Sequence, residues 1–318
     1  MTRTDVHQHL WPEPFLAALA ARSALPRLRR APAGGWSVEL AGEPPAPVDP
    51  AAHDPALRAR LVARDGLDRA LLCMSSPLGA EALPADEARA LLDTWHAAVL
   101  GLGEPFGVWG AIALRDAAPA EVDAILDRGA IGISMPAGAL ATPRRLERLG
   151  PLLEALERRG APLLVHPGPG LEDAAATPED PGTTAPWWPA LTAYPAQLGA
   201  AWHAWVDRGR ARHPSLRVLF AALAGGAPLH AERLVARGGP AGAATDPRVF
   251  YDTSSYGPRA IDAVARVTGV DALVHASDRP VAVPSAHGLG PAGAAAVTRC
   301  NPARLLHGPV AGATGLAA

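Results

Sequence analysis

Residues 2–12 read TRTDVHQHLWP. The run TRTDVHQHL (2–10) is β-like, and two histidines, His7 and His9, stand near its end. Successive side chains on a strand alternate faces, so residues two apart share one. If His7 points into a fold, so does His9. A single His-X-His pair is a weak signal by itself. Its weight depends on what the chain places at the ends of other strands.

Seven further short apolar runs follow, at 67–77, 106–114, 130–136, 161–169, 216–223, 248–255 and 271–280. Helical patterns separate them, at 84–100, 119–128, 142–160, 190–212, 227–237, 257–268 and 290–306. The clearest is TPRRLERLGPLLEALERRG, where Thr142 suits the N-cap and Pro143 the first helical position. Leu146, Leu149, Leu153 and Leu156 form its apolar stripe, Pro151 is placed to kink or divide it, and Gly160 suits the stop. Strands alternating with helices suit a (β/α)8 barrel or a doubly wound sheet. The strand count favours the barrel, and no glycine-rich dinucleotide fingerprint follows the first strand. The expected architecture is therefore α/β, a distorted (β/α)8 TIM barrel in one domain over 1–310, with a loose tail at 311–318. Two segments exceed the basic barrel. Residues 25–50 are expected to insert a small β-hairpin after the first strand. Residues 168–188 form a long loop after the fifth, a candidate lid ending in Trp187 and Trp188.

Composition narrows the function. Net charge is −2, with 29 basic and 31 acidic residues interspersed. No basic stripe suggests nucleic acid or an anionic membrane as partner. No apolar run reaches the roughly 20 residues of a membrane span, and the start lacks a signal-peptide pattern, so a cytoplasmic location is expected. Cys73 and Cys300 form no closely spaced pair. All 29 basic residues are arginine, and without lysine there is no Schiff base, no P-loop lysine and no carbamylated-lysine metal bridge.

Enzyme sites on such barrels lie at the C-terminal ends of the strands. The first run ends with His7 and His9, the fifth with His166 in LLVHPGP, and the eighth with Asp278 in VHASDRP. Three imidazoles and a carboxylate from separate strand ends suit zinc, manganese or iron(II). A divalent cation with an open position lowers the pKa of bound water.

The segments DVHQHLWP, LLVHPGP and ASDRP together resemble those of the amidohydrolase superfamily. More narrowly they resemble its amidohydrolase-related branch of metal-dependent hydrolases, lactonases and non-oxidative decarboxylases. The AGG after the sixth run, YDTSS and NPARLL fit as well, so the resemblance covers nearly the whole chain. It implies that His7, His9, His166 and Asp278 bind one metal ion, with zinc expected first and manganese second. It also implies an acid/base histidine at the end of the sixth strand, where this chain has Leu223 in FAALAGGAP. Asp278 is then the first candidate for general base and His230 the second, ahead of His203 and His275. Arg279 and Arg115 are candidates for binding a substrate carboxylate, and Asp252 for supporting a ligand. The leading expectation is hydrolysis of a small lactone or amide by metal-activated water. Its alternatives are non-oxidative decarboxylation of an aromatic or enoate acid, and a non-catalytic metal- or small-molecule-binding barrel. The expected partner is a small molecule, and the resemblance makes a homodimer plausible.

Overall fold

The structure, a computed structural model, describes residues 1–32, 34–173 and 185–308. All eight expected strands form: β1 (Thr4–His9), β5 (Arg69–Cys73), β6 (Phe106–Ala111), β7 (Gly132–Pro136), β8 (Leu163–His166), β9 (Val218–Phe220), β10 (Val249–Asp252) and β11 (Leu273–Val274). They pair in parallel in that same order. The ring closes where the last strand meets the first. Val6 N donates to His275 O at 2.9 Å, Asp278 N to His7 O at 3.0 Å and His9 N to Arg279 O at 2.7 Å.

Both faces of each strand are buried, which is why the runs read as nearly continuous apolar segments. Strand alternation sorts them. Leu71, Trp109, Leu164, Leu219, Phe250 and Val274 share one cluster inside the ring, while Leu163, Val165, Val218 and Phe220 belong to the cluster under the helices. This phase fixes the strand ends. Stepping by two from Leu164, Phe250 and Val274 gives His166, Asp252 and, beyond the strand, Asp278.

β1 breaks phase, because Val6 is also interior. Asp5 pairs with Ala70 but Gln8 pairs with Leu72, so β1 carries one extra residue against β5. That bulge re-aims the odd-numbered positions, and His7 and His9 turn inward. A polar clasp holds it. The Asp5 carboxylate accepts from His7 N (3.1 Å), Ser277 N (3.1 Å) and Gln8 Nε2 (2.7 Å). Arg58, 1% exposed, donates to Gln8 Oε1 and to His9 O. Burial lowers its pKa to about 10, more than nearby Asp5 raises it.

The region expected to be a hairpin is larger. β2 (Arg27–Arg30), β3 (Trp36–Glu39) and β4 (Ala46–Val48) form a three-stranded antiparallel sheet, preceded by the helix Glu13–Ala21. The third strand escaped notice because APV is short and carries a proline, which suits an edge. The 142–160 helix divides at Leu149 into Pro143–Arg148 and Gly150–Arg159, as the missing N–H of Pro151 requires. In the long loop after β8, residues 174–184 lie outside the described residues, as do 309–318 of the tail. Trp187 and Trp188 are 57% and 45% exposed. No helix among the described residues is long and apolar enough to cross a membrane.

His96, on the helix Ala85–Val99, shows how helices lock to the barrel. It is buried, and its Nε2 accepts the Ala111 N–H at 3.1 Å, a bond only neutral imidazole can make. Burial, then Arg128, lowers its pKa from 6.5 to about 4. The unfolded chain therefore binds a proton here at a pH where the native chain does not. The stabilisation is complete above pH 6.5 and is lost as pH falls towards 4. In chemical denaturation between pH 5 and 6.5, His96→Gln should lose one proton of this dependence, about 1.4 kcal/mol per pH unit. Parallel pH profiles for variant and wild type would contradict the assignment.

Candidate metal centre

The four strand-end residues meet above the barrel interior. The imidazole rings of His7, His9 and His166 stand mutually perpendicular, at interplanar angles of 83°, 87° and 84°, with centroids 4.8, 4.8 and 4.9 Å apart. His7 Nε2 lies 3.1 Å from His9 Nε2. Asp278 Oδ1 lies 3.1 Å from His9 Nε2 and 3.5 Å from His7 Nε2.

Each ring is oriented from behind. His7 Nδ1 is 2.8 Å from Asp252 Oδ2, His9 Nδ1 is 3.1 Å from Cys73 O, and His166 Nδ1 is 2.8 Å from Pro167 O. An acceptor at every Nδ1 fixes the proton there and leaves the Nε2 lone pair facing the common space. Asp252 is the hub. Its other oxygen accepts from Ala222 N (2.8 Å), Ser254 N (3.0 Å) and Ser254 Oγ (2.5 Å). Asp278 sits at φ 55°, a left-handed conformation uncommon outside glycine.

The residues fit a cation on two grounds. Asp278 Oδ1 is buried and makes no hydrogen bond, although it faces the Nε2 atoms. The cluster also attracts positive charge. Burial lowers the pKa of His7 and of His9, but Cys73 raises both, with Asp252 adding to His7 and Asp278 to His9. His7 ends well above its ordinary value and His9 at about 9. His166 falls well below, through burial and the charges of His7 and His9. Burial raises Asp278, but the neighbouring histidines hold it at about 2. Burial likewise raises the Cys73 thiol, and His9 and His7 bring it below its ordinary value. Cys73 Sγ is one of four donor atoms, with those of His7, His9 and His166, all within 4.8 Å of one another. Cys73 belongs to no motif in the sequence, yet it lies directly opposite His9 in the β1–β5 pairing.

The other candidates are dispersed. His230 and Arg115 are exposed, and neither lines the cavity over the cluster. The Arg279 guanidinium turns to Asp65 at 2.6 Å, His203 Nδ1 contacts Gly199 O at 2.6 Å, and His275 Nδ1 contacts His287 Nε2 at 2.9 Å. Leu223 is 1% exposed and packs in the core under the helices. It belongs to five consecutive left-handed residues, Ala222 to Gly226, with φ between 46° and 83°. At this point the wall consists of Ala221, Ala222 and Gly225, and no ionisable side chain of that segment reaches the cavity.

The cavity has a volume of about 390 Å³. Its floor is His7, His9, His166 and Asp278, and its walls are mainly apolar, including Leu40, Leu78, Pro167, Leu191 and Leu198. Polar residues foreseen by no motif also line it, among them Glu43, Tyr194 and Tyr256.

A family profile described as "Amidohydrolase" matches residues 4–304. The chain belongs to this amidohydrolase family. No curated protein matches the chain in sequence. Among solved structures it resembles the apo form of Metarhizium anisopliae IDCase, at 18% identity and TM-score 0.79, covering 96% of this chain and 97% of that one. It also resembles the 5-carboxyvanillate decarboxylase LigW from Sphingomonas paucimobilis, at 17% identity and TM-score 0.73, covering 96% and 98%. A third is the 5-carboxyvanillate decarboxylase from Novosphingobium aromaticivorans complexed with manganese and 4-hydroxy-3-methoxy-5-nitrobenzoic acid, at 17% identity and TM-score 0.64, covering 88% and 86%. At these identities the likeness is one of fold.

Asp252→Asn tests how the protein orients His7. An amide NH2 facing His7 Nδ1 favours the tautomer with its proton on Nε2, aimed into the cluster. Affinity for zinc or manganese in competition with a chelating indicator should fall about 10- to 100-fold, with the circular dichroism spectrum unchanged. Undiminished affinity would mean that Asp252 does not set the tautomer.

Proposed function

We propose that this amidohydrolase is a metal-dependent, non-oxidative decarboxylase of a planar aromatic or enoate carboxylic acid. The observation that carries this reading is a largely apolar cavity of about 390 Å³ opening directly onto the His7, His9, His166 and Asp278 cluster. That volume suits a single substituted ring. Apolar walls disfavour an ionised carboxylate more than the transition state in which its negative charge spreads into the substrate π system as neutral carbon dioxide forms. Two relatives in fold named for decarboxylation of a ring acid add support.

His7, His9, His166 and Asp278 would hold one divalent cation, and the donor set suits manganese or zinc. When bound, that cation would neutralise and polarise the substrate oxygens. The chain's own groups do the rest. Asp252, Cys73 O and Pro167 O hold the rings, so the cluster is preorganised. Ser255 Oγ donates to Asp278 Oδ2 at 3.2 Å, which leaves Oδ1 turned to the histidines. Leu198 and Leu78 exclude water from the substrate ring. Hydrolysis, the first expectation from sequence, gives way to decarboxylation because the relatives in fold include 5-carboxyvanillate decarboxylases and the cavity over the cluster is largely apolar.

Elemental analysis after loading should find one manganese or zinc per chain in wild type, and much less in His7→Ala or Asp278→Ala. Loaded wild type, given a panel of hydroxy- and methoxybenzoic acids and enoate acids, should release carbon dioxide. Chelation should abolish release and added metal restore it. Ring opening of lactones or amide cleavage, with no carbon dioxide from any acid, would return the assignment to hydrolysis.

A further inference from the structure

Replacing a carboxylate by hydrogen needs a proton at the carbon that bears it, and the chain lacks the strand-end histidine its family resemblance leads one to expect. Among the described residues, and outside the four candidate ligands, the cavity is lined by three titratable side chains, Glu43, Tyr194 and Tyr256. The lining serines are weak acids and already engaged. Ser254 Oγ donates to Asp252, Ser255 Oγ donates to Asp278, and Ser75 Oγ accepts from Trp11 Nε1 at 3.0 Å. Asp278 is a candidate ligand, with Oδ1 turned to the histidines and Oδ2 accepting from Ser255 Oγ.

Glu43 stands apart from these. It belongs to the β3–β4 connection of the inserted sheet, and Tyr194 begins the helix Ala193–Ala204 on the far side of the chain. Tyr194 Oη donates to Glu43 Oε1 at 2.6 Å, across 151 residues. The bond joins the insertion to the barrel over the cavity and fixes one carboxyl oxygen. Burial raises the pKa of Glu43, more than the Tyr194 bond lowers it. Burial raises the phenols of Tyr194 and Tyr256 as well, making them poorer acids still.

We propose that Glu43, held by Tyr194, is the catalytic acid that protonates the substrate carbon from which carbon dioxide departs. This rests on the decarboxylase reading. The Glu43 O–H bond breaks as a C–H bond forms at the carbon bearing the carboxylate. The bond to the carboxylate carbon then breaks, its electron pair returns to the substrate π system, and neutral carbon dioxide leaves. Glu43 is left as a carboxylate, stabilised by the Tyr194 hydroxyl, and takes its next proton from water. The inserted sheet thereby supplies the group that the Leu223 position lacks.

Two measurements on the metal-loaded full chain test this. The first is infrared difference spectroscopy of wild type minus Glu43→Gln at neutral pH, without substrate. A protonated-carboxyl C=O band assigned to Glu43 is expected, and its absence overturns the proposal whatever the activity. The second is turnover of the best acid from the benzoate panel. Glu43→Gln should lower kcat by 100-fold or more, with KM and metal content near those of wild type. Glu43→Asp should recover part of the loss, and Tyr194→Phe should lower kcat less. An unchanged kcat in Glu43→Gln overturns the proposal and leaves the decarboxylase reading standing. A band with no acid turned over by wild type overturns both.

Discussion

Three imidazoles and a carboxylate held within a few ångströms of one another, out of water, is an arrangement that packing alone would not choose. The Nε2 atoms of His7 and His9 are 3.1 Å apart, and a buried carboxylate oxygen beside them has no hydrogen bond. Tolerating it requires a backbone that cannot relax. Ring closure between β1 and β11, the Asp5–Gln8–Arg58 clasp and the Asp252 hub provide this. Each spends buried polar groups on geometry, and apart from Arg58 Nε their polar side-chain atoms are bonded, the condition for burying them.

Asp252 joins two features that look separate. One of its oxygens orients His7 and the other pins Ala222, the start of the left-handed turn after β9. That turn forces Leu223 into the core and leaves small residues along the cavity wall. One carboxylate therefore both orients a candidate ligand and shapes the space above it. Left-handed alanine and leucine residues carry strain, which bonding of this kind offsets.

The fold was legible because a barrel strand is buried on both faces and leaves a short apolar run, and eight such runs stand at the right spacing. The cluster was legible because alternation puts His166 and Asp278 in phase with the interior. The inward turn of His7 and His9 was foreseen as a pair, but the bulge that produces it was not, since an unpaired residue in β1 is defined only against β5. Cys73 read as an ordinary apolar strand residue. Glu43 and Tyr194 left no local pattern, because their bond depends on the inserted sheet folding over a distant helix. Arg279 drew attention beside Asp278, yet neighbours on an extended chain face opposite ways, and its guanidinium serves the outer surface at Asp65.

The bulge and the closing strand stand near opposite ends of the chain. His7 and His9 are made well before Asp278, whose N–H bonds back to His7 O. A ribosome-bound chain presents the histidines early but not the centre. Donor geometry exists only once β11 has docked against β1 and the clasp has set. Assembly of the site thus reports that the whole barrel has folded, and a chain stalled before residue 278 has the three histidines without the carboxylate or the shape of the centre.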